Sequence, residues 1–498
     1  MRNTTITIVK ALAIILVVMA HSCCPSYLSR FSYMLCVSLF FMASGYCFNT
    51  KYLDDEYTFI RHRFSSLYVP FVKWSIFFIV LNHIWFKIGF LSEQYGNAAG
   101  GVTHPLSLHG GMQALWSIVC NMSGYDSFLA GAYWFFRAML ISSIVFLFAF
   151  KVIAKLRQKI SYTSVAMIVG VLALGLATWK TECRLSATGV AQGGYRELMG
   201  IFLLAAGYVY SQFERWLAGP ISIPVCFNVE KYSSIGRKRL ARSGNAVVKC
   251  TYTAVRFLGR VPVASMAVSA IALGLITAFT APAMTFNAKN TGAIFLLALS
   301  AIIGFSFIKN AAFYLNKIGN AEEHQASEAT HPFRRAILFL GENTLYVFGW
   351  HLLAFKFVSM LKVGVYGLPW GMVGGHPVVH SDQGHWFWIL YTLVGVAAPL
   401  LCVIGIRRVA KIYSVEELKR DLATASRNVW ELLKNAGKAL GKCAAVAFSF
   451  FCKGIIILGQ YIWRIIKWIV IGIWKSIYGF IQTFIDTVKE ASDYKKDE

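Results

Sequence analysis

Two ionisable side chains, Lys10 and His21, bracket an uninterrupted apolar run from Ala11 to Ala20. On a helix, eleven steps come back to within about 20° of the starting face and rise about 16 Å. Lys10 and His21 therefore project from one face at different depths. The types suit chemistry: a neutral imidazole takes a proton from a hydroxyl near neutral pH, and an ammonium holds a phosphate as a point charge. A histidine among apolar helices also serves simply as an inter-helix hydrogen bonder. At this stage both readings stand.

The other candidates sort by depth. Ser44, Arg61, Arg63, Glu342 and Asn343 fall toward the Lys10 end, and Trp134, Arg137, Glu197, His351 and Lys356 toward the His21 end. His351 sits about 15 residues into its apolar run, roughly 22 Å along a helix, which matches the depth of His21. A cationic mouth at the Lys10 end suits a polyanionic, nucleotide-bearing acyl donor, because Arg and Lys clamp phosphates. Snorkelling cations at helix ends are the plainer explanation of the same residues. An inter-helix ion pair is the plainer account of Arg137 and Glu197.

The elements that must position these residues follow from composition. Of 498 residues, 57% are hydrophobic and 14% charged. A soluble fold carries about 25% charged residues, so this chain cannot coat several soluble domains. Disorder and coiled coil also need more charge. The expected fold is all-α, a polytopic helical bundle in the lipid bilayer. About ten spans are expected, at 8–24, 33–50, 70–91, 132–153, 163–179, 197–213, 263–284, 292–310, 336–361 and 386–406, each near the 20 residues that cross hydrocarbon. With both termini cytoplasmic, the inner segments ahead of the tail hold 20 Lys/Arg and the outer segments 6, as positive-inside topology requires. Loop 92–131 has none.

The chain divides into a membrane domain, 1–411, with a basic loop at 214–262, and a tail, 412–498. Loop 214–262 carries Gly236-Arg237-Lys238-Arg239. In the tail, Lys453, Arg464, Lys467 and Lys475 interrupt apolar residues beside Trp463, Trp468 and Trp474, a pattern for a basic amphipathic helix at the interface. The net charge of +25 is assigned to membrane topology, and no nucleic-acid partner is expected. The 11 cysteines contain no CxxC pair, and the first apolar run lacks a cleavage site, so it reads as a span. His376, His380, Asp382 and His385 share one outer loop, but loop histidines without Cys or Glu seldom seat a metal, and none is expected.

In order along the chain, Lys10 with His21, Phe40-Phe41 with Ser44-Gly45-Tyr46, Phe59 with Arg61 and Arg63, Trp134-Phe135-Phe136-Arg137, Arg196-Glu197, and Asn343-Thr344 with His351 resemble the acyltransferase type 3 family. The resemblance covers about residues 5 to 406. It implies an integral enzyme of the cell (inner) membrane that moves an acyl group from acyl-CoA, a substrate rather than a tightly bound cofactor, to a hydroxyl of a cell-surface or lipid-linked glycan. Acetyl-CoA and O-acetylation of polysaccharide are the expected instance. His21 would be catalytic. Lys10, Ser44, Arg61 and Arg63 would bind the donor, and Trp134, Arg137, Glu197, His351 and Lys356 the acceptor. The rival is a transporter with a histidine proton relay, which the lack of an internal repeat disfavours.

Overall fold

The computed structural model describes residues 3–96, 101–156, 160–185, 194–218, 262–284, 288–318 and 332–412. The basic run 236–239 and the tail from 413 lie outside the described residues. Fourteen helices follow one another in the described chain: α1 Thr4–His21, α2 Ser26–Tyr46, α3 Glu56–Arg63, α4 Val69–Val80, α5 Asn82–Lys87, α6 Leu108–Asn121, α7 Trp134–Leu156, α8 Tyr162–Glu182, α9 Tyr195–Ala218, α10 Pro262–Phe279, α11 Thr291–Ile318, α12 Pro332–Glu342, α13 Thr344–Tyr366 and α14 Phe387–Ile412. Nine helical segments among the described residues are long and apolar enough to cross a membrane. The remaining expected span, the sixth at 197–213, is α9, which has the length but carries Arg196, Glu197, Glu214 and Arg215. The all-α polytopic bundle is as expected.

α1 lies at the centre. It packs on α2, α11, α12 and α13, and Ile8, Val9, Ala11, Ala13, Ile14 and Val18 are fully enclosed. Asn3 starts it, accepting the Ile6 amide at 3.2 Å, as a helix N-cap does. α2 and α9 cross closely because glycine meets backbone on both sides. A Cβ on Gly45 would overlap the Leu204 carbonyl, and one on Gly207 would overlap that of Met42. Small residues at a crossing are how membrane helices gain packing contacts in the absence of water.

Three expected boundaries need correction. The third span was expected at 70–91 behind a basic loop. Instead α3, a π-helical turn Phe64–Tyr68 and α4 run on as one span, Glu56–Val80. Pro70 lacks an amide to complete the α-helical ladder, and a π turn just before it absorbs the defect without ending the helix. The ninth span was expected unbroken at 336–361. It divides at Asn343, buried with φ −112° and ψ 20°, whose side-chain amide donates to the Phe339 carbonyl at 2.7 Å. Short polar side chains compete with the helical ladder in this way.

The third correction concerns 92–131, expected as an outer loop. The chain enters beside Asn82, which accepts the Leu106 amide at 2.9 Å. α6 then descends along α4 until the Tyr68 hydroxyl donates to the Val119 carbonyl at 2.7 Å. Asn82 and Tyr68 are roughly 20 Å apart along the span, so α6 is a re-entrant helix. Leu108, Met112, Trp116 and Val119 form an exposed stripe on it, the face for lipid. The return through Asp126, Leu129, Ala130 and Tyr133 is buried, and irregular backbone at membrane depth is stable only inside protein. Asp126 supplies hydrogen bonds there, accepting the Phe128 and Leu129 amides at 2.9 and 2.7 Å.

Candidate active site

Toward the Lys10 end of the bundle, a cavity of about 360 Å³ opens between α1, α2, the π turn and α13. Lys10, Ser44 and Arg63 line it together. The Arg63 guanidinium donates to the Ser44 hydroxyl at 2.6 Å and lies 4.9 Å over the Phe59 ring. Arg61 does not join them. It sits two residues away, about 200° around the helix, and is exposed. His62, Ser66 and Tyr52 contribute polar atoms in its place. The sequence carried a signal for Ser66, because a π turn bulges backbone and side chain toward a site, but it lay hidden in the expectation of a loop.

The inner end of the cavity is aromatic: Phe40, Phe135 and Phe348. Phe135 packs 5.7 Å from Phe40 and 5.2 Å from Phe348. Along α13, Thr344, Phe348, His351 and Phe355 occupy one face at helical spacing. His351 is thus the next residue beyond the aromatic layer, and its ring lies 5.2 Å from that of His21. Tyr33 closes the group, 5.8 Å from His21.

Both imidazoles are oriented by backbone. His21 Nδ1 is 2.8 Å from the Val17 carbonyl, and His351 Nδ1 is 2.9 Å from that of Phe348. A carbonyl can only accept, so Nδ1 carries the proton in each and Nε2 keeps its lone pair. His351 is 1% exposed, and its Nε2 is buried with no hydrogen-bond partner. Such an acceptor is costly to leave unmet, and a hydroxyl on a bound molecule would complete it. The depth match expected between His21 and His351 is therefore a direct contact.

The remaining expected acceptor residues do not gather at this point. Trp134, Arg137 and Glu197 cluster between the starts of α7 and α9. Arg196 lies 4.0 Å over Trp134, Arg137 Nε is 4.0 Å from Glu197, and the Ser142 hydroxyl donates to the Glu197 carbonyl at 2.9 Å. Arg196 enters as part of this cluster although it was not among the expected site residues. The group also lies deeper than expected. Phe136 packs on Phe71, about 16 Å along the span from Asn82, because the re-entrant segment delivers α7 to mid-bundle. Lys356 is fully buried, and its ammonium donates to the Val373 and Gly375 carbonyls at 3.0 and 2.7 Å. One turn and a half along, Lys362 donates to the Val379 carbonyl at 3.2 Å. The two lysines pin the loop between α13 and α14.

That loop carries His376, whose Nδ1 donates to the Phe128 carbonyl at 2.7 Å. Burial, followed by the charge of Lys356, pushes its pKa down to about 3. The unfolded chain, with histidine near 6.5, binds this proton first as pH falls. Stability should therefore decline from about pH 6.5 toward pH 3 and be fully present above that window. In detergent melting scans against pH, His376→Asn should flatten this acid limb. An acid limb of unchanged slope would remove His376 as its source.

Above His21, on the far side from the cation cavity, lies a second cavity of about 720 Å³. Ser22 and Cys23 form part of it, together with the loop residues His380, Asp382 and His385 and with Trp388 and Tyr391 of α14. Cys23 holds φ at 54° and places Sγ 3.9 Å from His380 Nδ1. His380 donates through Nε2 to the His376 carbonyl at 3.1 Å. No cluster of three metal-ligating side chains occurs among the described residues.

In chemical terms, two imidazoles whose Nε2 atoms keep their lone pairs stand between a cation-lined cavity on one side and a larger polar cavity on the other. Such an arrangement can hold a polyanion at one end and move a proton at the other. A family model described as an acyltransferase domain matches residues 3–408. No curated protein and no solved structure matches the chain.

Proposed function

We infer the reaction from the premise that the chain belongs to the acyltransferase type 3 family and is a multi-pass membrane acyltransferase. The reading that fits the site best is transfer of an acyl group, acetyl in the first instance, from acyl-CoA to a hydroxyl of a glycan. The observation that carries it is the His21–His351 pair, 5.2 Å apart, one aromatic layer beyond the Lys10–Arg63 cavity.

In this reading the donor's phosphates rest by Lys10 and Arg63, with Ser44 fixing the guanidinium. The pantetheine arm follows α1, over the rise of about 16 Å, past Phe348. His21 Nε2 takes the proton as the acceptor oxygen attacks the thioester carbonyl. The C–O bond forms, the C–S bond breaks, and the departing CoA thiolate recovers the proton from the imidazolium. His351 Nε2 accepts a hydrogen bond from a neighbouring hydroxyl of the acceptor and so orients it. Trp134, Arg137, Arg196 and Glu197 set the wall between α7 and α9, and Lys356 fixes the outer loop. The Lys10 end faces the cytoplasm, where acyl-CoA is made, and the His21 end faces outward.

Mass spectrometry of surface glycans from cells with and without the protein, paired with CoA release by the purified protein in liposomes, tests this. Loss of an ester from the glycans together with acceptor-stimulated CoA release is expected. Substrate flux across sealed vesicles without CoA release would replace the reading with transport.

A further inference from the structure

The cavity above His21 is built for something the catalytic pair does not account for. It begins at Ser22 and Cys23, directly after the histidine. Tyr391 forms its deep wall, 1% exposed, with the hydroxyl 3.0 Å from Ser359 Oγ. Phe387 is also buried, and Trp388 is half-buried beside them. Asp382, His380 and His385 are exposed and line the same cavity.

Resting on the acyl-transfer reading, we propose that this cavity is the acceptor's docking site and that its occupant is an uncharged pyranose. A pyranose ring offers an apolar C–H face and a rim of hydroxyls. The aromatic wall takes the face, and the Asp382 carboxylate with the His385 imidazole takes the rim by hydrogen bonds, those to the carboxylate being the stronger. Charge sets the class within sugars. Lys362 already donates to the Val379 carbonyl and lies 5.9 Å over the Phe387 ring. Asp382 adds a carboxylate to the same lining, which a carboxylated or phosphorylated sugar would have to face. Asp382 would repel one.

Cys23 provides a reporter, because it lines the cavity and is exposed. The wild-type protein in liposomes is alkylated with a maleimide in alkaline buffer, where the reactive thiolate forms. Peptide mapping then follows Cys23, with exposed Cys183 as the internal reference. A neutral methyl pyranoside at four times its dissociation constant should slow Cys23 labelling about fivefold and leave Cys183 unchanged. Mannitol, an open-chain polyol, should do neither. Asp382→Asn and Trp388→Ala should each abolish the protection while Cys23 still labels at the unprotected rate.

Equal or better protection by a methyl uronoside, the carboxylated counterpart of the neutral pyranoside, would overturn the assignment to uncharged sugars. No protection by any pyranoside, or equal protection by mannitol, would overturn the site. Labelling needs no turnover, so these outcomes are independent of whether acyl transfer itself depends on His21.

Discussion

His21→Ala should lower acyl transfer by roughly 10²–10⁴-fold, the range over which a positioned general base contributes. Folding should be little affected, because the side chain is half-buried and its bond to the Val17 carbonyl is local to α1. His351→Ala should cost less, since it orients the acceptor through a neighbouring hydroxyl in this scheme and takes up no proton. The two effects should fall short of adding in the double variant, because the rings lie 5.2 Å apart and act on one bound acceptor. The measurement is CoA release with saturating donor and acceptor for the two singles and the double, with detergent melting as the control for folding. A normal rate from folded His21→Ala protein would end the assignment of the base.

The second large effect belongs to the cation cavity. Hydrogen bonds to charged groups contribute about 1.5–3 kcal/mol each, so Arg63→Ala should raise KM for acyl-CoA by roughly 10- to 150-fold, with kcat changed far less. Lys10→Ala should act in the same direction. Ser44→Ala should have a smaller effect, because it removes the hydroxyl that fixes the guanidinium at 2.6 Å and leaves the charge in place. The decisive control is a truncated donor, acetyl-pantetheine, which lacks the nucleotide phosphates. With it, wild type and Arg63→Ala should have similar KM values. A penalty that persists on the truncated donor would mean that Arg63 shapes the cavity and does not read phosphate. Arg61→Ala should change neither constant, since that side chain is exposed and points away.

The alternation of cations across ten apolar runs made the bundle legible, and the 3.6-residue period made Lys10 and His21 a single face. The match in depth of His21 and His351 followed from counting residues, and the structure turns it into a contact. What was illegible has a physical cause in each case. α6 is 14 residues long with an apolar stripe on only one face, shorter than any window that detects a crossing, so its descent left no hydropathy signal. Trp134 and Arg137 were placed too close to the surface for that reason alone. Arg61 and Arg63 looked equivalent because a loop was expected, and only a continuous helix forces them to opposite sides. Lys356 resembled a ligand-binding cation because backbone carbonyls, its actual partners, carry no signature in a sequence. His376 and Phe128 are 248 residues apart in sequence yet share a 2.7 Å hydrogen bond, which no local pattern reveals.

The two lysines of α13 that hold the loop between α13 and α14 have a kinetic consequence. Moving that loop aside would strip the buried Lys356 ammonium of its two carbonyl partners, and an unmet buried charge is far costlier than an unmet neutral group. The start of the loop is therefore a fixture and not a flap, and Lys362 extends the hold to Val379, which lines the larger cavity. A molecule arriving there finds its seat already shaped, with the ordering entropy settled when the chain folded. Its association should be a single bimolecular step whose rate rises linearly with concentration and never reaches a plateau set by loop opening. Discrimination between sugars would then reside in how long each one stays.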